Sequence, residues 1–383
     1  MSYICREKLS FDCIMLDTMK FALVPEHIRD LQPYKAGKTI QEVLDVYKPE
    51  RIAKLASNEN RLGCSPKALL AAQESFSTIM NYPDPTSRAL RAEIARMHGI
   101  KPENVIAGNG SEGVMSLITR TFFRDTDHAL TAAGTFIGFW VLINSRGVKL
   151  VKVPLTKDYA FDLQAIADSI TEETRVVYLA NPNNPTGTYF TKQEFEWFMT
   201  QVPEHVLVIM DEAYFEYAQY EPDYADSMRY RMDNVITLRT FSKGYGLAGF
   251  RVGYGMAHED LIGNLMKVKL PFEPGSPSQA AALAALKDVD FMHRSYELVQ
   301  QGKQRLYQFL DKKGMRYVKS ASNSVMLVFD SSEEAAHFTD KMLELGVVLR
   351  HLPAFGIPEG VRVTIGLEED MQQFEWAFEK VFF

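Results

Sequence analysis

Four short segments of the chain hold residue types that together can do chemistry on an amine. In Thr240-Phe-Ser-Lys243-Gly-Tyr-Gly-Leu-Ala-Gly-Phe-Arg251, a lysine sits among hydroxyls and glycines, with an arginine eight residues on. A lysine amine can condense with a carbonyl, and a guanidinium suits bidentate contact with a phosphate. Asp211-Glu-Ala-Tyr214 places a carboxylate and a phenol directly after the apolar run Val206–Met210. Asn181-Pro-Asn-Asn-Pro-Thr-Gly187 is a stiff turn that offers three amides. Gly108-Asn-Gly-Ser-Glu-Gly113 leads into a helical pattern, and free N–H groups at a helix start make an anion site. Taken singly, each has a plainer reading: a solvated lysine, a helix-capping carboxylate, a turn, a tight bend.

Taken together they supply what pyridoxal 5′-phosphate (PLP) chemistry needs. Lys243 can form the Schiff base. Asp211 can keep a pyridine nitrogen protonated, so that the ring accepts electrons from a substrate carbanion. An asparagine of the turn and the tyrosine after Asp211 can hydrogen-bond the ring oxygen. Hydroxyls, backbone N–H groups and an arginine can bind the phosphate. The string Gly108–Gly113 also spells G-x-G-x-x-G, which leaves an NAD-dependent oxidoreductase open as a reading from another class. A dinucleotide fold expects an acidic residue at the end of the next strand, however, and here Asp125 and Asp127 precede the next apolar stretch.

All four segments begin where an apolar run ends. The runs Asn104–Ala107, Val148–Val153, Arg175–Ala180, Val206–Met210, Val235–Leu238 and Val252–Met256 alternate with amphipathic stretches such as Thr191–Gln201 and Glu259–Lys269. This alternation predicts an α/β domain with a mostly parallel sheet, whose ligands bind beyond the carboxyl ends of the strands. Pro271-Phe-Glu-Pro-Gly-Ser-Pro277 breaks the pattern. One helical region is expected over Gln279–Leu310, then apolar runs at Ser324–Phe329, Val347–Leu349 and Val361–Ile365. The expected division is an N-terminal arm with part of a small domain over 1–50, a large domain over 51–272 and a small α+β domain over 273–383. The segment around Pro25–Val46 is expected to pack on the small domain, and residues 1–24 to form a loose extension.

The order of these motifs resembles the fold type I aminotransferases, and more closely the histidinol-phosphate aminotransferase family. The resemblance runs from Arg29-Asp-Leu-Gln-Pro-Tyr34 and Leu55-Ala-Ser-Asn-Glu-Asn60 through Asn81-Tyr82-Pro-Asp and the four segments above. It ends with Leu349-Arg350 and Arg362-Val-Thr-Ile-Gly366. It implies a large domain with a seven-stranded-type sheet between helices, and Lys243 as both cofactor anchor and proton shuttle. It also implies Asp211 on the pyridine nitrogen, Asn184 and Tyr214 on the ring oxygen, Phe136 stacked on the ring, Gly110, Ser111, Thr240, Ser242 and Arg251 around the cofactor phosphate, and Glu112 among the cofactor-binding residues. Tyr34, Asn58, Arg350 and Arg362 are implied as substrate residues. Tyr82 is implied to reach the cofactor phosphate of a partner subunit in a homodimer. The chain departs from the family pattern at Phe136 (more usually tyrosine), at Ala133-Gly-Thr, which lacks a usual proline, at Glu112-Gly113 and at Arg61, where proline is common.

Composition narrows the rest. Of 383 residues, 46% are hydrophobic and 24% charged, as in an ordinary globular chain, and the formal net charge of -7 comes without a basic run. Electrostatic binding to nucleic acid or an anionic membrane is therefore not expected. Three cysteines (Cys5, Cys13, Cys64) without a Cys-x-x-Cys pair, and eight scattered histidines, suggest neither a disulfide framework nor a metal site. A cytoplasmic enzyme is expected. The resemblance implies transamination between histidinol phosphate and 2-oxoglutarate in histidine biosynthesis. An aromatic amino-acid aminotransferase, a phospho-amino-acid decarboxylase and a catalytically silent binding protein are the alternatives on the same scaffold.

Overall fold

The structure is a computed structural model that describes residues 23–29, 31 and 40–382. Its centre is a seven-stranded sheet in the order β2-β8-β7-β6-β5-β3-β4. The strands are β2 (Val105–Gly108), β3 (His128–Ala132), β4 (Lys149–Val153), β5 (Thr174–Ala180), β6 (Leu207–Asp211), β7 (Val235–Thr240) and β8 (Gly253–Met256). The pairs between β7 and β4 are parallel, whereas β8 runs antiparallel to both β2 and β7. Strands β5, β6 and β7 are almost wholly buried, as expected of near-continuous Val, Ile and Leu runs covered by helices on both faces. The helix Gly110–Phe122 is one such cover. Val114, Met115, Leu117 and Ile118 form its buried stripe at helical spacing.

A second, four-stranded antiparallel sheet is built from β9 (Tyr317–Val318), β10 (Ser324–Val328), β12 (Arg350–His351) and β13 (Gly360–Thr364), in the order β12-β13-β10-β9. Beside it, β1 (Ala53–Lys54) pairs in parallel with β11 (Val347–Val348). The helices Ser332–Glu344 and Glu368–Phe382 close this core with Phe338, Met342, Phe374 and Phe378. Val43, on the helix Ile40–Tyr47, packs with Ala56, Leu343 and Val348, so that helix lies on the small domain.

Packing differs from the sequence expectation in three places. The helical region after Pro277 is two helices, Ser276–Ala285 and Val289–Lys313, because Asp288 turns the chain and ties it to Ser65 and Lys67. The first of them shares an alanine-lined core (Ala281, Ala282, Ala285) with Ala68 and Ala72 of the large domain, so the packing boundary falls later than residue 273. The second spans both bodies, with Val299 against Tyr214 and Tyr217 and with Leu306 and Leu310 in the small-domain core. At the other limit, β1 belongs to the small domain, so the large domain's packing starts after residue 51.

Candidate active site

The carboxyl ends of β2, β5, β6 and β7 all open to one side of the large sheet. Antiparallel β8 brings its start there as well, which is how Arg251 joins residues from four other strand ends. A cleft there is lined by Gly110, Ser111, Glu112, Phe136, Asn184, Asp211, Tyr214, Thr240, Ser242, Lys243 and Arg251. Eleven of the residues singled out in the sequence thus converge on one cavity.

Asp211 ends β6 and is buried. Its Oδ2 accepts a 2.7 Å hydrogen bond from the Tyr178 hydroxyl, whose ring stacks on Phe139. Its Oδ1 is buried with no hydrogen-bond partner among the described residues. Burial raises the carboxyl to about 6. The Tyr178 hydroxyl, the nearby Ala213 N–H (which closes no hydrogen bond of normal geometry) and the Lys243 ammonium offset part of that rise. A buried carboxylate oxygen facing a cavity without a donor is the environment a protonated heterocyclic nitrogen would complete.

Lys243 lies beyond β7, its Nζ 3.4 Å from the Ser57 carbonyl oxygen and 5.7 Å from the Tyr214 ring centroid. Burial, followed by the Arg362 guanidinium, lowers its ammonium to about 8, so a larger share of the amine is neutral than in water. The Lys243 loop is clamped by Asn60, whose amide donates to the Gly244 carbonyl oxygen and the Ser295 hydroxyl at 2.9 Å. Tyr214 is fixed from the other domain. Asn58 Nδ2 donates to its hydroxyl at 2.9 Å and to Ser324 Oγ at 3.1 Å, while Thr364 donates to Asn58 Oδ1 at 3.0 Å. The Asn58 amide, implied as a substrate group by the resemblance, is engaged in holding Tyr214 against β10 and β13.

The helix start Gly110–Glu112 forms one wall with Arg251. Gly110 has φ +73°, and a Cβ there would lie 2.8 Å from Arg251 Nη2. A Cβ on Gly253 would meet the Ser111 backbone nitrogen at 2.4 Å, so only glycine lets the helix start lie on the head of β8. Arg251 Nη1 donates to Ser242 Oγ at 3.3 Å, and Thr240 Oγ1 to the same oxygen at 3.0 Å. Backbone N–H groups, two hydroxyls and a guanidinium on one wall make a phosphate cradle. The carboxylate, amine, amide and cradle fit PLP.

A wider cavity of about 960 Å³ continues toward the small domain, lined among others by Lys54, Asn58, Phe136, Lys243, Arg350, Phe355 and Arg362. Arg362, on β13, is buried and donates to Asn184 Oδ1 and, at 2.6 Å, to the Ala56 carbonyl oxygen. Tyr34 lies outside the described residues. Tyr82 lies outside both cavities, 80% exposed and stacked on Phe272 at 4.3 Å. Arg61 turns away to a two-pronged contact with buried Asp370 (3.0 and 3.3 Å), which explains how an arginine is accommodated there.

Gly108–Gly113 is no dinucleotide fingerprint in this fold. Among the described residues, strand β2 is an edge strand whose only neighbour is antiparallel β8, so no parallel β-α-β unit of such a site starts there. The family model for class I and II aminotransferases matches residues 50–374. The chain belongs to this family. Among the aminotransferase's relatives, histidinol-phosphate aminotransferase 2 of Hydrogenovibrio crunogenus is 39% identical over 358 residues, 93% of this chain and 95% of that protein. Histidinol-phosphate aminotransferase of a Geobacillus species is 40% identical over 352 residues, covering 91% and 95%. Among solved structures, histidinol-phosphate aminotransferase of Sinorhizobium meliloti in complex with pyridoxal-5′-phosphate superposes with a TM-score of 0.87. It is 27% identical and covers 95% of this chain and 98% of that one. The aminotransferase fold is thus fold type I.

Tyr178, Asn60 and the buried Arg239–Glu212 pair (2.7 Å) were not foreseen. A tyrosine inside an apolar strand looks like core, and only the structure, which sets Tyr178 beside Ile209 of β6 with its hydroxyl reaching Asp211 two residues on, reveals it as the partner of Asp211.

Proposed function

We propose that this aminotransferase uses PLP to move an amino group between histidinol phosphate and 2-oxoglutarate. The observation that carries the substrate is the pairing of Arg350 and Arg362. They are register partners on β12 and β13 and line the same cavity as Lys243. An α-carboxylate needs one guanidinium. A phosphate monoester, with about 1.5 to 2 negative charges and three acceptor oxygens, makes use of two.

When bound, PLP supplies a carbonyl for the amine and a ring that withdraws electrons. The remaining work falls to the chain. Asp211 Oδ1 would hold the ring nitrogen protonated, and Tyr214 and Asn184 would bond the ring oxygen. Gly110, Ser111, Thr240, Ser242 and Arg251 would hold the cofactor phosphate, with Glu112 alongside and Phe136 against the ring. Lys243 would anchor the cofactor and, as a neutral amine, take the proton from the substrate Cα. Arg350 and Arg362 would hold the substrate anion, with Tyr34 as a further substrate contact, and Asn58 would keep Tyr214 in place.

A homodimer belongs to this reading. Leu69, Leu70, Phe76, Ile79, Met80 and Tyr82 form an exposed apolar strip along one stretch of chain, the kind of surface a second copy would cover, with Tyr82 reaching the partner's cofactor phosphate. A cytoplasmic location is consistent with the absence, among the described residues, of any helix long and apolar enough to cross a membrane.

The cofactor reading is tested by reducing the purified protein with sodium borohydride and mapping the peptides. The modified residue is expected to be Lys243. A cofactor adduct on another lysine overturns the assignment.

A further inference from the structure

Resting on the histidinol-phosphate reading, we propose that Lys54 is a third cation of the substrate-anion subsite and favours a phosphate dianion over a carboxylate. Ala53, in β1, and Leu55, directly after it, are fully buried in the small-domain core. Lys54, between them, faces the opposite way, into the cavity shared with Arg350 and Arg362. The segment that leaves the strand is bonded to the arginine itself, because Arg362 donates to the carbonyl oxygen of Ala56, two residues after Lys54. Among the described residues, Lys54, Lys243, Arg350 and Arg362 line the cavity with one acid, Glu112, while a second acid, Glu59, is paired with Lys54.

The contact that holds Lys54 in place is its pair with Glu59, Nζ to Oε1 at 3.0 Å, with side chains 24% and 39% exposed. A half-solvated pair of this kind is weak, so an entering dianion can draw the ammonium toward itself. Arg362 already spends N–H groups on Asn184 and Ala56. The three oxygens of a phosphate therefore have use for donors beyond it. An α-carboxylate, with one charge and two oxygens, gains less from Lys54.

The test uses the holoenzyme as wild type, Lys54→Met and Lys54→Arg. Half-reactions are run with histidinol phosphate and with phenylalanine, and inorganic phosphate is titrated as a competitive inhibitor against glutamate. In Lys54→Met, the KM for histidinol phosphate should rise about tenfold more than that for phenylalanine, with the change in KM exceeding that in kcat, and phosphate inhibition should weaken at least about fivefold. Lys54→Arg should recover most of both. Unaltered phosphate inhibition in Lys54→Met, or equal losses with both amines, overturns the proposal. If the wild type does not turn over histidinol phosphate, the substrate reading fails by itself, and the phosphate inhibition constants still decide the role of Lys54.

Discussion

Arg350 and Arg362 stand directly opposite each other on antiparallel strands β12 and β13, so two guanidiniums share one face of a small sheet. Both lie near the Phe355 ring, at 5.7 and 5.9 Å from its centroid. Like charges in this position are destabilising by roughly 0.2–1 kcal/mol. The arrangement makes sense where an anion is held between them.

One consequence is a trade between stability and binding. Arg350→Leu should leave the substrate-free protein as stable as wild type or slightly more so, within about 1 kcal/mol. The same variant should raise the KM for histidinol phosphate roughly tenfold or more through the lost charged contact. Thermal unfolding and half-reaction kinetics on one preparation check both halves. Arg362→Leu should cost more in both, since its side chain also joins Asn184 to Ala56.

Asp211 sets an acid limit. Its carboxyl, near 6, must be ionised to hold a cationic ring nitrogen, so cofactor affinity should fall as pH drops through about 6. Tyr178→Phe removes the hydroxyl that favours the ionised form. The limit should then move to higher pH, read from cofactor binding across pH 5–8. Asp211→Asn should lower the transamination rate by about 10²–10⁴-fold, in the range of a lost group that acts on the reacting centre.

The phosphate cradle depends on a glycine that touches no ligand. Gly253→Ala would push a methyl into the Ser111 backbone nitrogen, 2.4 Å from the ideal Cβ, and displace the helix start. Cofactor affinity should fall at least about tenfold by equilibrium dialysis, since backbone N–H groups lose their aim. Gly249→Ala, where the added Cβ meets nothing within 4 Å, is the control.

Lys243 should leave a mark on stability before any cofactor binds. Its ammonium is lowered to about 8 from 10.5, so between these pH values the unfolded chain binds more protons than the folded one. Stability of the cofactor-free protein should therefore rise with pH across that window. In Lys243→Met the rise should shrink, and stability at neutral pH should exceed that of wild type. Urea unfolding at pH 7 and 10 checks the sign.

Much of this site was legible because strand ends are legible. Runs such as Val206–Met210 are bounded by polar residues, and a parallel sheet sends those boundaries to one side. What escaped was whatever depends on partners far along the chain. Strand β3, His-Ala-Leu-Thr-Ala, has little β-branched content and did not stand out. The helix break at Leu286–Asp288 carries no glycine or proline, and its cause is the contact of Asp288 with Ser65. The reversal of β8 is invisible in composition, yet it is what delivers Arg251. Asn58 was picked out by motif, but its engaged amide gives it a supporting part.

The Lys243 site is proposed to serve a phosphorylated amine. The most direct measurement is a set of single-turnover half-reactions with histidinol phosphate, glutamate and phenylalanine, followed through the cofactor absorbance. Histidinol phosphate should convert the cofactor with the highest kcat/KM, and glutamate should convert it as well. Clear turnover with phenylalanine and none with histidinol phosphate would contradict the claim.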